Sequence, residues 1–247
     1  MIARAEILAE LSDRIRQMER ARVRSVREVA AAPSPSSAGG LQRLLPDVVS
    51  LRGGLIEWLS DAKGAGGTSL AMLASQPAMD NEWWVVVAGR HPFYAAGFAS
   101  LSLDLRRLVL VKPERPADAM WAVEQALRTR GVGAVVCEVD RLSSAAFRRL
   151  QLAAETGGSL GILLRPERVR HQPSWAEYRL LVRPLATAGP PSASHPRRRL
   201  LVELLRARRG FSTATESVIV ELDDANGRVC LDARLASATS EARAAGA

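Results

Sequence analysis

The 247-residue sequence has only two cysteines, Cys137 and Cys230, far apart, and the first stands in an apolar run. Two such thiols exclude a disulfide framework and a cysteine-built metal cluster, and they fit a reducing compartment, the cytosol. Long apolar runs are missing as well. Nothing approaches the roughly 20 residues that a membrane span needs. The opening Met1-Ile2-Ala3-Arg4-Ala5-Glu6 has no long apolar stretch and soon carries mixed charge, so it does not read as a signal peptide. No membrane partner is expected. Lysine is scarce: of 34 Lys and Arg, only Lys63 and Lys112 are lysine. Arginine suits bidentate phosphate contacts and buried ion pairs, but a high-GC genome also inflates it, so position informs more than total.

Apolar residues make up 47% of the chain, enough for a full core, and the length suits one large domain or one domain with appendages. The formal charge is +8, and it is not spread evenly. Residues 141–209 hold 14 Arg against 4 Glu, a surplus larger than that of the whole chain. A basic block of this strength favours an anionic partner, either nucleic acid or an acidic protein surface. The alternative is a solvated arginine-rich surface.

Residues 1–30 read as an N-terminal helix. Leu8, Leu11, Ile15 and Met18 form one apolar stripe, with acids early and arginines late as the helix dipole prefers. That stripe needs cover, from its own domain or from another protein. Residues 31–40 are a Pro/Ser/Gly linker by composition, which makes the helix an appendage. The main domain is expected over 41–235, and a frayed Ala/Ser-rich tail over 236–247. Within 55–182, strands at 55–59, 83–88, 108–111, 133–137, 160–164 and 178–182 alternate with helices at 68–75, 92–100, 117–130 and 143–156. That alternation predicts an α/β fold: a mostly parallel twisted sheet with helices on both faces. From about residue 198 the pattern changes to a hairpin with antiparallel C-terminal strands. The tryptophans Trp58, Trp83, Trp84 and Trp121 lie in or beside apolar runs and read as core.

The sheet pattern places ligands at the carboxyl ends of strands, and there lies the stretch around which the chain is organised. Glu57-Trp58-Leu59-Ser60-Asp61-Ala62-Lys63-Gly64-Ala65-Gly66-Gly67-Thr68-Ser69-Leu70 runs from strand through a glycine turn into a helix. A phosphate loop reads G-x-x-x-x-G-K-[ST], with backbone N–H groups around phosphate, a Lys on the β/γ-phosphates and a hydroxyl on Mg²⁺. With Thr68 as the hydroxyl, Gly66 is the second glycine, Gly67 occupies the lysine position and Asp61 the first glycine. The glycines and hydroxyl remain, but the cation is gone. Gly64, Gly66, Gly67 and Thr68 still suit a phosphate at a helix N-terminus; the alternative is that they only turn the chain. Glu138 and Asp140, at another strand end, suit a metal-bound water or plain capping.

These segments resemble the RecA recombinase core. Leu101-Ser102-Leu103-Asp104-Leu105-Arg106-Arg107-Leu108-Val109-Leu110-Val111-Lys112-Pro113 is similar to that family's L-G-V-D-x-x-N-L-L-V-x-x-P stretch. Residues 134–138 stand where its metal-binding strand ends in Asp, here Glu138. More specifically, Asp140-Arg141-Leu142, the 150–158 run Leu-Gln-Leu-Ala-Ala-Glu-Thr-Gly-Gly, Gly161, Arg165-Pro166, and Leu44-Leu45-Pro46 before Gly53-Gly54 are similar to the ImuA proteins. The resemblance covers roughly 40–235. It implies a RecA-like core and a part in the SOS response: translesion DNA synthesis beside an ImuB-like polymerase homologue, an error-prone replicative-type polymerase complex, RecA and DNA.

The same resemblance exposes losses. Read without gaps, Arg90 stands where RecA enzymes carry the glutamate that activates water, and Arg does not act as a general base at physiological pH. Phosphoryl transfer depends almost wholly on charge stabilisation, so a missing phosphate lysine is a second loss. No catalytic residue, no resident metal and no cofactor are expected. ATP with Mg²⁺ would rely on Lys63 swinging in beside Gly64, Gly66, Gly67, Thr68, Glu138 and Asp140. The expectation is therefore a non-catalytic accessory protein. The alternatives are an active ATP-dependent DNA-binding protein with a shifted lysine, or a cell-division inhibitor resembling the SulA branch. Arg165, Arg168, Arg170, His171 and Trp175 lie where the resemblance puts a DNA-binding loop, with Trp175 suited to stacking on a base.

Overall fold

The computed structural model describes residues 44–45, 49–60, 64, 66–79, 81–89, 93–95, 97, 99, 101, 103–186, 198–208, 217–223 and 228–231. The N-terminal helix, the 31–40 linker, residues 92, 96, 98 and 100 of the expected 92–100 helix, and the 236–247 tail lie outside these residues. Among the described residues, nine strands form one sheet: β1 (Leu55–Ser60), β2 (Trp83–Val87), β3 (Leu108–Val111), β4 (Val132–Glu138), β5 (Leu160–Pro166), β6 (Tyr178–Leu185), β7 (Arg198–Ala207), β8 (Ser217–Asp223) and β9 (Arg228–Leu231). Their order is β3-β2-β4-β5-β1-β6-β7-β8-β9. β1 to β6 pair in parallel, and β7, β8 and β9 continue the sheet antiparallel. The architecture is thus mixed α/β, mostly parallel with antiparallel C-terminal strands, as the sequence pattern predicts.

The parallel strands are mostly apolar, as strands shielded by helices on both faces are. Ile56, Trp58, Val86, Val136 and Ile162 face the layer that contains α1 (Gly67–Ser75). Leu55, Val85, Val135 and Leu163 face α2 (Pro116–Arg128) and α3 (Ser144–Gly157). Local chemistry sets the helix ends. Pro116 opens α2, where its missing N–H costs nothing. The Ser143 hydroxyl accepts from Ala146 N at the start of α3, and Gly158 closes α3 in the left-handed region at φ 73°. At Gly157 a Cβ would lie 2.0 Å from the Leu127 carbonyl oxygen, so α3 crosses the end of α2 at a distance only glycine permits.

The tryptophans divide. Trp58 and Trp84 are core, as expected, but Trp83 is 45% and Trp121 is 63% exposed. Trp83 is the first residue of its strand, beyond the helical cover. Trp121 sits on the outer face of α2, opposite the buried Val123 and Leu127.

Candidate functional site

The glycine turn lies at the carboxyl end of β1. Gly66 takes the position before α1 with φ 86° and ψ −3°, and no side chain caps the helix. Gly64 also has a positive φ of 77°. Left-handed backbone at Gly66 swings the chain into α1, whose first closing bond runs from Leu70 N to the Gly66 carbonyl at 2.9 Å. The space a side chain on Gly66 would need is taken by β7: Leu200 Cδ1 lies 3.1 Å and Arg198 Nη1 3.2 Å from an added Cβ. Gly67, at the lysine position, is buried; Thr68 is exposed. Asp61, Lys63 and Arg90 lie outside the described residues.

Glu138 ends β4, exposed, against Gly89 at the end of β2. The register pairs Glu138 with Leu164 and Leu164 with Trp58, which puts Glu138 two strands from β1, about 10 Å across the sheet. Asp140 faces elsewhere: its carboxylate accepts from Arg168, and its carbonyl accepts from Arg165 Nη2 at 3.1 Å. The glycine turn and Glu138 therefore share one end of the sheet, while Asp140 is tied to the connection between β5 and β6.

That connection, residues 167–177, holds four of the five expected nucleic-acid contacts, and the fifth, Arg165, precedes it. Arg165 belongs to β5, not to the loop, and is buried. Its Nη1 lies 2.5 Å from Glu57 Oε1 on the neighbouring β1. Arg179 of β6 approaches from the other side, with Nε 2.5 Å from Glu57 Oε2. Arg165 also donates to Gln172 Oε1, and Arg179 Nη1 donates to the carbonyls of Arg170 and Gln172. Arg165 Nε and Arg179 Nη2 have no acceptor among the described protein atoms. Burial alone would push the Glu57 carboxyl up. The hydrogen bonds from Arg179 and Arg165, with Ser174 adding to them, more than offset that and hold it below the ordinary value. Arg165 is thus a structural cation and presents nothing to a phosphate.

Trp175 follows in the same connection. It is half-buried, with the guanidiniums of Arg148 and Arg208 at 5.8 and 5.4 Å from its ring centre. Both cations lie within reach of the ring's π face. Arg168 is exposed but paired with Asp140, Arg170 is half-buried beside Glu167, and His171 is exposed. The wider basic block is largely committed within the fold. Arg183 bridges Glu167 and Glu203, Arg149 holds Glu124, Arg206 donates to the Ser174 carbonyl and Arg208 to that of Trp175. Glu57 and Arg179 escaped the sequence reading, yet a signal existed. A glutamate inside a strand buried on both faces requires a cation beside it, and an arginine stands in each flanking strand.

No family model matches the chain. Protein ImuA from two strains of Caulobacter vibrioides is 31% identical over 169 residues, spanning 62% of this chain and 67% of that protein. Cell division inhibitor SulA of Edwardsiella piscicida is 24% identical over 124 residues, spanning 50% of this chain and 66% of that one. Identity at that level over two thirds of a relative's length accompanies the motifs at 44–46, 140–142 and 150–166, and by it the chain belongs to the ImuA family.

Proposed function

We propose that this protein is a RecA-like accessory protein of SOS-type mutagenesis that works by binding other proteins and does not turn over ATP efficiently. Membership in the ImuA family supports the pathway. The observation that carries the non-catalytic part is the glycine turn: Gly67 stands where a phosphate lysine belongs, and Leu200 and Arg198 of β7 crowd the position a side chain on Gly66 would take. The described residues of the turn, Gly64, Gly66, Gly67 and Thr68, bring no side-chain cation of their own to a triphosphate. Asp140 is engaged by Arg168. Removing the charges that stabilise a transferring phosphoryl group removes most of that reaction's catalysis. An ImuB-like polymerase homologue and RecA are the partners this reading names, with DNA reached through them.

The test is ATP turnover by the full chain, with and without single-stranded DNA, alongside Lys63→Ala. The expected result is background turnover, unchanged by the substitution. A nucleotide that binds only the native state raises apparent stability, so MgATP should leave Tm where it was. Turnover comparable to a RecA enzyme and abolished by Lys63→Ala would overturn the reading. Co-purification from DNA-damaged cells tests the partners.

A second reading, division inhibition through a tubulin-like partner, gains from two observations. One is the likeness to SulA. The other is that so many arginines are spent on internal contacts, which weakens the charge argument for nucleic acid. DNA affinity that falls steeply with salt argues against this reading; binding to the tubulin-like partner with no salt-dependent DNA affinity favours it.

A further inference from the structure

The flank formed by α3, the β5–β6 connection and the end of β7 holds a charge cluster that neither the glycine turn nor the Glu57 clasp uses. Trp175 is its centre. The guanidiniums of Arg148 on α3 and Arg208, just past β7, lie over its ring, and Arg206 of β7 donates to the Ser174 carbonyl at 2.8 Å. All three arginines are exposed, and among the described residues none is paired with a carboxylate. The Ser174 and Trp175 carbonyls each take one N–H and leave the charge in place. Arg149, Arg165, Arg168, Arg170, Arg179 and Arg183, of the same basic block, all have acid partners. The cluster also stands apart from the strand ends at the glycine turn. Tyr178, just after it in the chain, pairs with Ile56 at the start of β1, whereas Val182 pairs with Ser60 at the turn, about 13 Å further along.

Residue type selects the ligand. Unpaired cations around one ring favour an anion, and all three are arginine, whose planar fork meets a phosphate with two parallel bonds. A guanidinium over an indole still presents N–H groups at its edge. An amphipathic protein segment needs several apolar anchors. Of the exposed large apolar side chains among the described residues, only Leu152 belongs to α3, the connection or β7. We infer that Arg148, Arg206 and Arg208 bind the phosphate backbone of single-stranded nucleic acid, with Trp175 as the surface on which a base stacks in exchange for a guanidinium. Any base has a π face, so the site takes unpaired bases without reading their sequence. A duplex keeps its bases turned inward and offers the ring nothing. The inference goes beyond the reading above, in which DNA is reached through partners. Background ATP turnover tests that reading and leaves this one standing, so the two failures are distinct.

The probe is fluorescein-labelled oligo-dT of about 16 nucleotides, titrated with the full chain and followed by anisotropy across a NaCl series. A duplex of the same length and a poly-Glu peptide are the competitors. The logarithm of affinity should fall against that of salt with a slope of about −2, or about −0.7 for each of the three phosphates. Arg148→Ala removes a guanidinium that holds only the Trp175 ring. It should weaken binding and make the slope shallower by about 0.7, with Tm moved by no more than about 4 °C. Trp175→Ala should lower affinity about tenfold, while Trp175→Phe, which keeps a stacking ring, should retain most of it. Arg106→Ala, beside the far edge strand β3, should change nothing. No binding of oligo-dT, equal affinity and slope in Arg148→Ala, or duplex bound as tightly as oligo-dT each overturn the inference. Displacement of oligo-dT by poly-Glu at matching concentration overturns it in favour of an acidic protein surface.

Discussion

Replacing Glu57 by Gln tests the central electrostatic argument. Glu57 has no exposed surface and lies between Arg165 and Arg179, each 2.5 Å away. Glutamine keeps the volume and removes the charge, leaving two guanidiniums buried in the sheet without a counter-ion. Breaking a buried ion pair from one side costs about 3–5 kcal/mol, because the remaining charge is stranded. For a domain of this size each kcal/mol moves Tm by about 2–4 °C, so Tm should fall on the order of 10 °C. Guanidinium unfolding followed by far-UV circular dichroism gives the free energy, and a thermal scan gives Tm. The double variant Glu57→Gln, Arg179→Met should recover part of the loss, since it removes one stranded cation and replaces it with apolar volume. Exchange of amides in residues 167–177 should rise most in Glu57→Gln, because Arg179 also holds the carbonyls of Arg170 and Gln172, and Arg165 the Gln172 side chain. A loss below about 1 kcal/mol, of the size typical of exposed pairs, would refute the argument.

Other outcomes follow from the same geometry. The Glu57 carboxyl titrates below its ordinary value when folded, so its contribution is present above the unfolded value of about 4.3 and is lost as pH falls through the folded one. The stability gap between the parent and Glu57→Gln should therefore narrow below about pH 4 in a denaturant series taken across pH. Gly66→Ala should cost about 1–2 kcal/mol, since φ is 86° and Leu200 Cδ1 crowds the new methyl. Gly67→Ala should instead gain about 0.5–1 kcal/mol in the same assay, because its added Cβ meets only ordinary contacts near 3.6 Å. The Cys137 thiol is pushed up to about 12 by burial, which Arg165 only partly opposes. Native protein at neutral pH should leave Cys137 unlabelled by iodoacetamide, whereas denatured protein labels fully, as read by mass spectrometry of its peptide.

The regular parts of this fold are written in short-range pattern. Runs such as Val85-Val86-Val87 and Val135-Val136 announce strands buried on both faces, and Ser143 and Gly158 mark the ends of α3. The glycine turn was legible because Gly66 needs a backbone geometry that other residues resist. The fate of the arginines was not legible. Whether Arg165 faces solvent or Glu57 depends on which strands lie beside β1, and sequence order does not state that β5 and β6 flank it. Trp121 was misjudged for a related reason. An aromatic in a helix is assigned to the core by type, while the α2 face it occupies is fixed by Val123 and Leu127. Arg208, 33 positions after Trp175, lies over its ring, a contact that no short-range pattern announces.

The clasp on Glu57 also dictates alignment. Side chains in a strand alternate faces, so a one-residue slip of β1 would turn its carboxylate toward α1 and abandon both guanidiniums. An all-aliphatic β1 would tolerate such sliding far better, since Leu and Ile serve either side. One acidic residue thus acts as an index pin for three adjacent strands, leaving the connections around them free to diverge in sequence while the sheet stays in step.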